Sequence, residues 1–441
     1  VKLPKSEFKR RRKVLLQNMV PNSIAILPSA PARKRNRDSE YGYRQDSDFY
    51  YLSGFPETDA VIVLVPGREH GESILFCKEK NPEVERWNGA LVGQELAVAD
   101  YLFDDAFPVA DIDDILPGLL EGKQRVYYSM GLDEKFDRHL MDWINQIRSK
   151  IRSGAHPPGE FVALEHTLHD MRLFKSNAEV KIMRKAAQIS AAAHVKAMQQ
   201  CKPGMLECEI EGLLVYEFMK SGARFQAYSS IVGGGSNACV LHYIENNQKL
   251  KNGDLLLIDA GCELDNYASD ITRTFPVNGA FSREQRALYE VVLAAQMAAI
   301  GEASAGRHWN HPHEAAVRVL TQGLLDLKLL DGGLQELIEI EAYRPFYMHR
   351  TGHWLGMDVH DVGDYKVGGQ WRVLEPGMVF TVEPGLYIAP EMTCVDEKWR
   401  GIGIRIEDDV LLTKTGNEVL TAGVPKDPDE IEALMKGREG S

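Results

Sequence analysis

No window of the sequence approaches the ~18 consecutive apolar residues of a membrane-crossing helix, so no membrane span is expected. The six cysteines, Cys77, Cys201, Cys208, Cys239, Cys262 and Cys394, are scattered and form no C-x-x-C pair. That argues against a disulfide framework or a thiolate zinc site and fits a reducing compartment. The basic stretch VKLPKSEFKRRRKVLLQNMV lacks the apolar run of a signal peptide, which leaves the cytoplasm as the expected location. Positive charge is also scarce: 51 Lys and Arg face 64 Asp and Glu, a net charge of −13. A nucleic-acid partner would normally meet a basic face, so none is expected, and bound cations could balance part of the acidic excess.

The remaining composition, 44% hydrophobic and 26% charged, is that of an ordinary globular protein. At 441 residues the chain exceeds the usual size of one core, and two domains are expected. The first third alternates helix and strand signals. A basic helix near 5–19 precedes strand-like runs at 23–28, 60–65, 72–77 and 125–129, and another helix follows near 132–149. This predicts an α/β layer with a mixed sheet. RSGAHPPGE, at 152–160, has the composition of a linker. Further on, Ser176 and Glu179 form a helix capping box, a second helix at 206–220 stops at Gly222, and Ser282 with Gln285 caps a third. Strands are expected near 239–243, 254–262, 267–275, 378–388 and 402–413, giving an α+β class.

The chemistry gathers on those strands. LLLIDAGCELDNYASDITRTF, at 255–275, places Asp259 and Asp270 in an otherwise apolar hairpin. If its turn is centred between Leu264 and Asp265, the two aspartates face each other with Cβ atoms ~5 Å apart. Either one carboxyl then stays protonated or a cation lies between them. Downstream, MHRTGHWLGMDVHDVG holds His349, His353 and His360, VFTVEPGLYI holds Glu383, and GIGIRIEDDVLL holds Glu407 and Asp408. Two Asp, one His and two Glu on apolar or Gly-rich segments form a hard, oxygen-rich donor set suited to Mn²⁺ or Co²⁺, with Zn²⁺ a third choice. Four carboxylates would balance two divalent cations, whose chemistry predicts a hydrolase.

The ordered motifs IDAG…DITRT, H…GHWLGMDVHDVG, TVEPGLY and GIRIED resemble those of the pita-bread dinuclear metallopeptidases. DSEYGYRQDSDFYYLSGFPETDAVIVLVPG and RLFKSNAEVKIMRKAA extend the resemblance almost end to end, to the proteobacterial Xaa-Pro aminopeptidase (aminopeptidase P) branch. The resemblance implies a C-terminal pita-bread catalytic domain over 172–441, preceded by a smaller α/β domain over 1–171 that serves oligomerisation and active-site access. It implies five metal ligands, Asp259, Asp270, His353, Glu383 and Glu407, holding two divalent ions, Mn²⁺ first. The implied reaction releases the N-terminal residue of peptides with proline second, through attack of a metal-bridging hydroxide. Glu383 would also take a proton from the water. His242 and His360 would stabilise the carbonyl oxygen, and His349 would line the proline pocket. Tyr387 and Arg405 would orient metal carboxylates. Asp38 and Trp87 would reach a neighbouring subunit's site in a homotetramer. A prolidase on the same fold is the alternative, and a non-catalytic peptide-binding module a third reading that the intact ligand set opposes.

Several residues stand apart from this pattern. Arg350, beside the ligand histidine, is expected to point to solvent. His308, His311 and His313 resemble a metal cluster without its carboxylates and are read as surface, as are His166, His169 and His194. Cys262 is read as packing.

Overall fold

The computed structural model describes residues 2–437. Leu3–Arg172 forms one compact unit, and a second begins at Leu173. The first is built on a six-stranded sheet in the order Asp105–Pro108, Ser73–Cys77, Val61–Leu64, Ser23–Pro28, Arg125–Tyr127, Glu160–Val162. Ser23–Pro28 runs antiparallel to Val61–Leu64 and parallel to Arg125–Tyr127, so the sheet is mixed, as expected. The VIVL and SILFC strands are buried along their whole length, and Ile24, Ile26, Val63 and Phe76 pack with Trp143 and Ile144. Such unbroken apolar runs belong to strands covered on both faces. The Gly- and Pro-rich stretch at 152–160 is not a linker between units. It leads directly into Glu160–Val162, the sheet's edge strand, which pairs with Arg125–Tyr127.

In the second unit both capping boxes form. Ser176 and Glu179 start the helix Asn177–Gln200, and Ser282 and Gln285 start Arg283–Glu302. These helices share one apolar core with the strands. Each long strand expected from sequence is broken in two. Leu255–Asp259 is followed by Cys262–Leu264, Tyr267–Ala268 by Thr272–Pro276, Val379–Val382 by Gly385–Ile388, and Ile402–Arg405 by Asp408–Thr413. The strand expected at 239–243 does not form: a 3₁₀ turn, Gly235–Cys239, leaves His242 on a loop.

The hairpin register also differs from expectation. Thr272, not Asp270, faces Asp259, and Leu264 faces Tyr267. The turn is centred on Asp265 and Asn266, at φ 50° and 66°. Asp and Asn tolerate this left-handed geometry and Leu does not, so the turn slides one residue along and the pairing moves by two. A shift of two keeps Asp259 and Asp270 on the same face.

Behind the strands, Asp408 is fully buried and accepts from Arg273 (2.7 Å), Lys426 (2.8 Å), Gln296 (2.7 Å) and Thr421 (2.7 Å). Burial works against its charge, yet Arg273 and Lys426 hold its carboxyl well below the ordinary range. A depressed folded-state pKa stabilises the protein above the unfolded value of about 3.9 and stops doing so as pH falls toward the folded value. The Tm gap between wild type and Asp408→Asn, followed by calorimetry, is therefore expected to be full at pH 6 and to shrink below about pH 4. A gap unchanged at pH 3 would contradict this assignment.

Candidate metal centre

The four strand interruptions meet at a cavity of about 860 Å³ in the second unit. Its walls include Asp259, Asp270, His353, Glu383 and Glu407, together with His242, His349, His360 and Arg405. The interruptions explain the convergence. At a break in the ladder a side chain need not follow the strict up-and-down alternation of a strand, so acids from two hairpins can turn toward one point.

Asp270, His353 and Glu407 each place one donor atom within 4.8 Å of the others, a spacing that one cation can bridge. His353 Nε2 lies 3.4 Å from Asp270 Oδ2 and 3.5 Å from Glu383 Oε1. Its other nitrogen, Nδ1, is 2.9 Å from the Trp354 carbonyl. Donation from Nδ1 to that carbonyl fixes the tautomer that leaves Nε2 free for a metal. Gly352 lets this segment approach the strand Val379–Val382, since a Cβ there would lie 1.9 Å from the Thr381 carbonyl oxygen.

Neighbours orient every carboxylate. Tyr228, which the sequence did not single out, sits between the two aspartates, 2.6 Å from Asp259 Oδ1 and hydrogen-bonded also to Asp270 Oδ1. One phenolic proton cannot serve both acids, so the pair calls for a further proton or a cation. Arg405 donates to Asp259 (2.7 Å), to Thr272 (3.2 Å) and to the Tyr387 oxygen (3.0 Å). Thr272 donates to Glu407 (2.6 Å) and Thr381 to Glu383 (3.1 Å). Asp409, also missed from sequence, accepts from the Asp270 backbone N–H at 3.2 Å.

Burial pushes Glu407 well above the ordinary carboxylate range, with Asp270 and Glu383 adding repulsion. Burial also raises Asp259, against the pull of Arg405, and raises Glu383 to about 7. For Asp270 burial is outweighed by His353 and Tyr228, and its carboxyl is lowered. His353 goes to about 9: burial opposes its charge, but the bond to Asp270 and the charges of Glu383 and Asp270 prevail. Four acids crowded into one buried cavity are costly unless positive charge joins them. The donor set therefore fits divalent cations, and their binding must displace the proton on His353.

The profile of metallopeptidase family M24 matches residues 181–414, and that of the aminopeptidase P N-terminal domain matches residues 8–127. The chain belongs to metallopeptidase family M24. It is 45% identical to the Xaa-Pro aminopeptidase of Escherichia coli, over 98% of both chains. It is similar to the solved structure of Pseudomonas aeruginosa aminopeptidase PepP, at 63% identity and a TM-score of 0.99 with both chains fully covered. A substrate complex of Escherichia coli aminopeptidase P, 44% identical over the whole of both chains, gives a TM-score of 0.97. These matches bear out the expected pita-bread architecture with its preceding α/β domain.

Around the M24 cavity, His242 and His360 are exposed toward its space, and the His360 ring lies 4.3 Å from that of His353. His349 is engaged on both nitrogens: Nδ1 with the Arg350 carbonyl (2.8 Å) and Nε2 with the Tyr387 hydroxyl (2.8 Å). Burial lowers it to about 4, with Arg405 adding repulsion, so the ring is neutral near pH 7. It lines the cavity with both ring nitrogens already engaged. Arg350 is exposed, as expected, and also has partners. It lines the cavity, bonds to Asn310 and lies 5.1 Å over the Trp371 ring. Asp38 and Trp87 are exposed in the first unit, Trp87 to 89%.

Three histidines read as surface are not. His194 is wholly buried, with Nε2 2.9 Å from the Ala260 carbonyl. His313 is partly buried against Thr351 Oγ1 (2.8 Å), where burial lowers it to about 3. His169 lies 3.0 Å from Asp48. An alternating or helical pattern shows which face a residue occupies but not what covers that face, and that signal was missing for all three. Among the described residues, His308 and His311 belong to no metal-capable group. Cys262 is buried, as expected for a packing residue.

Proposed function

We propose that the protein is a metal-dependent Xaa-Pro aminopeptidase. The observation that carries this reading is the convergence of two Asp, one His and two Glu on one cavity, in an M24 chain 45% identical end to end to a curated Xaa-Pro aminopeptidase. Asp259, Asp270, His353, Glu383 and Glu407 would hold two divalent cations. The oxygen-rich set favours Mn²⁺, and a zinc-substituted Escherichia coli relative shows that related sites accept other divalent metals. The cations would supply a water of lowered pKa and polarise the scissile carbonyl.

The chain's own groups do the rest. Glu383 takes a proton from the attacking water at Oε1 or Oε2 and can pass it to the leaving nitrogen. His242 and His360 donate to the carbonyl oxygen as charge develops there. The neutral His349 ring packs against the proline ring. A peptide bond before proline has no N–H, and this site does not require one. Asp38 and Trp87 contribute to a neighbouring subunit's site within a homotetramer. The scattered cysteines, with no C-x-x-C pair, suit a reducing compartment such as the cytoplasm. Among the described residues no helix is long and apolar enough to cross a membrane.

The test compares release of the first residue from an Xaa-Pro-Pro tripeptide and an Xaa-Pro dipeptide, with Mn²⁺ and with chelator. Chelator-sensitive cleavage favouring the tripeptide is expected. Preference for the dipeptide would make the enzyme a prolidase, and no cleavage of either despite bound metal would leave only a binding module. In the same assay His242→Ala and His360→Ala are each expected to lower kcat about 10²-fold with metal content unchanged. Full turnover in both variants would remove them from the mechanism.

A further inference from the structure

Asp259 ends one strand piece and Asp270 precedes another, so both depend on the break at 260–261 and 269–271. There the backbone leaves the ladder, and its buried polar groups need partners from elsewhere. The helix Asn177–Gln200 supplies two. His194 Nε2 meets the Ala260 carbonyl at 2.9 Å, and Ser190 Oγ accepts from the Cys262 N–H at 2.9 Å. Ser190 also lies 2.7 Å from Ser269 Oγ, which donates to the Cys262 carbonyl at 3.1 Å. The His194 Nδ1 atom has no partner, so the ring proton sits on Nε2 and points at Ala260. Both side chains are fully buried on one helix face, one turn apart.

The break is also too tight for any residue but glycine at 261, where a Cβ would lie 1.7 Å from the Ser269 carbonyl oxygen. The crossing of the two strands is thereby fixed at one point, and Ser190 and His194 clamp it from behind. Within the break Ala260 N–H donates to the Ile271 carbonyl (3.0 Å) and Ala227 N–H to the Gly261 carbonyl (2.9 Å), and Ser190 and His194 complete the set of bonds that keeps Asp259 and Asp270 off ordinary strand positions.

We propose that Ser190 and His194 are positioning residues for the metal centre, holding the hairpin break that aims Asp259 and Asp270 into the cavity. This rests on the reading of those aspartates as metal ligands. They act as outer-shell groups do, through a ligand's backbone rather than by touching metal or substrate, and such partners typically govern ~10–100-fold of metal affinity.

The experiment titrates Mn²⁺ into the chelator-stripped full chain by calorimetry and follows Tm of the same samples in chelator. His194→Leu and Ser190→Ala are expected to weaken Mn²⁺ binding ~10–100-fold. His194→Gln, which keeps an N–H donor near the Nε2 position, is expected to restore binding close to wild type. Met198→Ala, a buried truncation one turn further along the same helix, is expected to lower Tm and leave Mn²⁺ affinity unchanged. Wild-type affinity in both His194→Leu and Ser190→Ala would overturn the proposal, as would an equal loss in Met198→Ala. If His194→Leu does not fold, Ser190→Ala against Met198→Ala decides. Failure of the wild-type chain to bind Mn²⁺ would instead defeat the ligand reading itself.

Discussion

Replacing Glu383 with alanine is expected to lower kcat on an Xaa-Pro-Pro tripeptide by about 10³-fold or more, the range that general acid–base and metal-ligand losses reach. Two roles meet in this side chain. Its Oε1 lies 3.5 Å from His353 Nε2 and accepts from Thr381, so it is aimed at the same space as the histidine. Without cations, burial and the neighbouring acids raise its carboxyl to about 7; bound cations would lower it again and leave a carboxylate that can accept a proton from the water. Glu383→Gln keeps the shape and one ligand oxygen but cannot accept that proton. It should retain more metal than Glu383→Ala while remaining nearly as inactive. Metal per subunit, measured beside kcat for both variants, separates the two roles. Activity within tenfold of wild type in either variant would refute the assignment.

Replacing Arg405 with methionine should cost about 3–5 kcal/mol, the usual consequence of removing one partner of a buried ion pair. For a unit of this size that corresponds to a Tm fall on the order of 10 °C. Arg405 is 3% exposed and donates to Asp259, Thr272 and Tyr387. It is the cation that faces Asp259, as the protonated His353 faces Asp270 and Glu383, and without it Asp259 repels the other acids with its own countercharge gone. The loss should be largest in chelator and partly recovered by added Mn²⁺, because divalent cations neutralise the same carboxylates. A Tm change below about 2 °C in chelator would show that Arg405 does not carry this charge balance. Arg405→Lys is no conservative control here, since one ammonium cannot reach three acceptors in the fixed geometry of a guanidinium.

The parts of this molecule legible in its sequence are those set by local chemistry. Ser176 with Glu179, and Ser282 with Gln285, cap the helices they were expected to cap. The apolar strands of the first unit lie where their β-branched runs lie. Asp259, Asp270, Glu383 and Glu407 are conspicuous because acids are rarely placed in apolar segments without a purpose, and His353 because it shares such a segment with glycines. What could not be read depends on one turn and on contacts across long sequence separations. The pairing of Asp259 with Thr272 turned on whether Leu264 or Asn266 would take a left-handed turn position. Tyr228 sits 31 and 42 residues from the aspartates it bridges, and Asp409 is 139 residues from the amide it accepts. His194 looked like one polar residue on an Ala-rich helix. Only the packing of that helix against Ala260 gives it a partner.

The four interrupted strands carry a thermodynamic consequence. Cations bound at the breaks would tie the two hairpins together beyond the backbone bridge between Thr272 and Glu407, so metal occupancy enters the folding equilibrium by mass action. A site filled at 100 times its Kd adds about 2.7 kcal/mol of stability, and one at 1,000 times about 4.1. The free metal concentration of a buffer then sets how long the chain survives as well as how fast it turns over, and a melting temperature has meaning for this protein only beside the metal concentration at which it was taken.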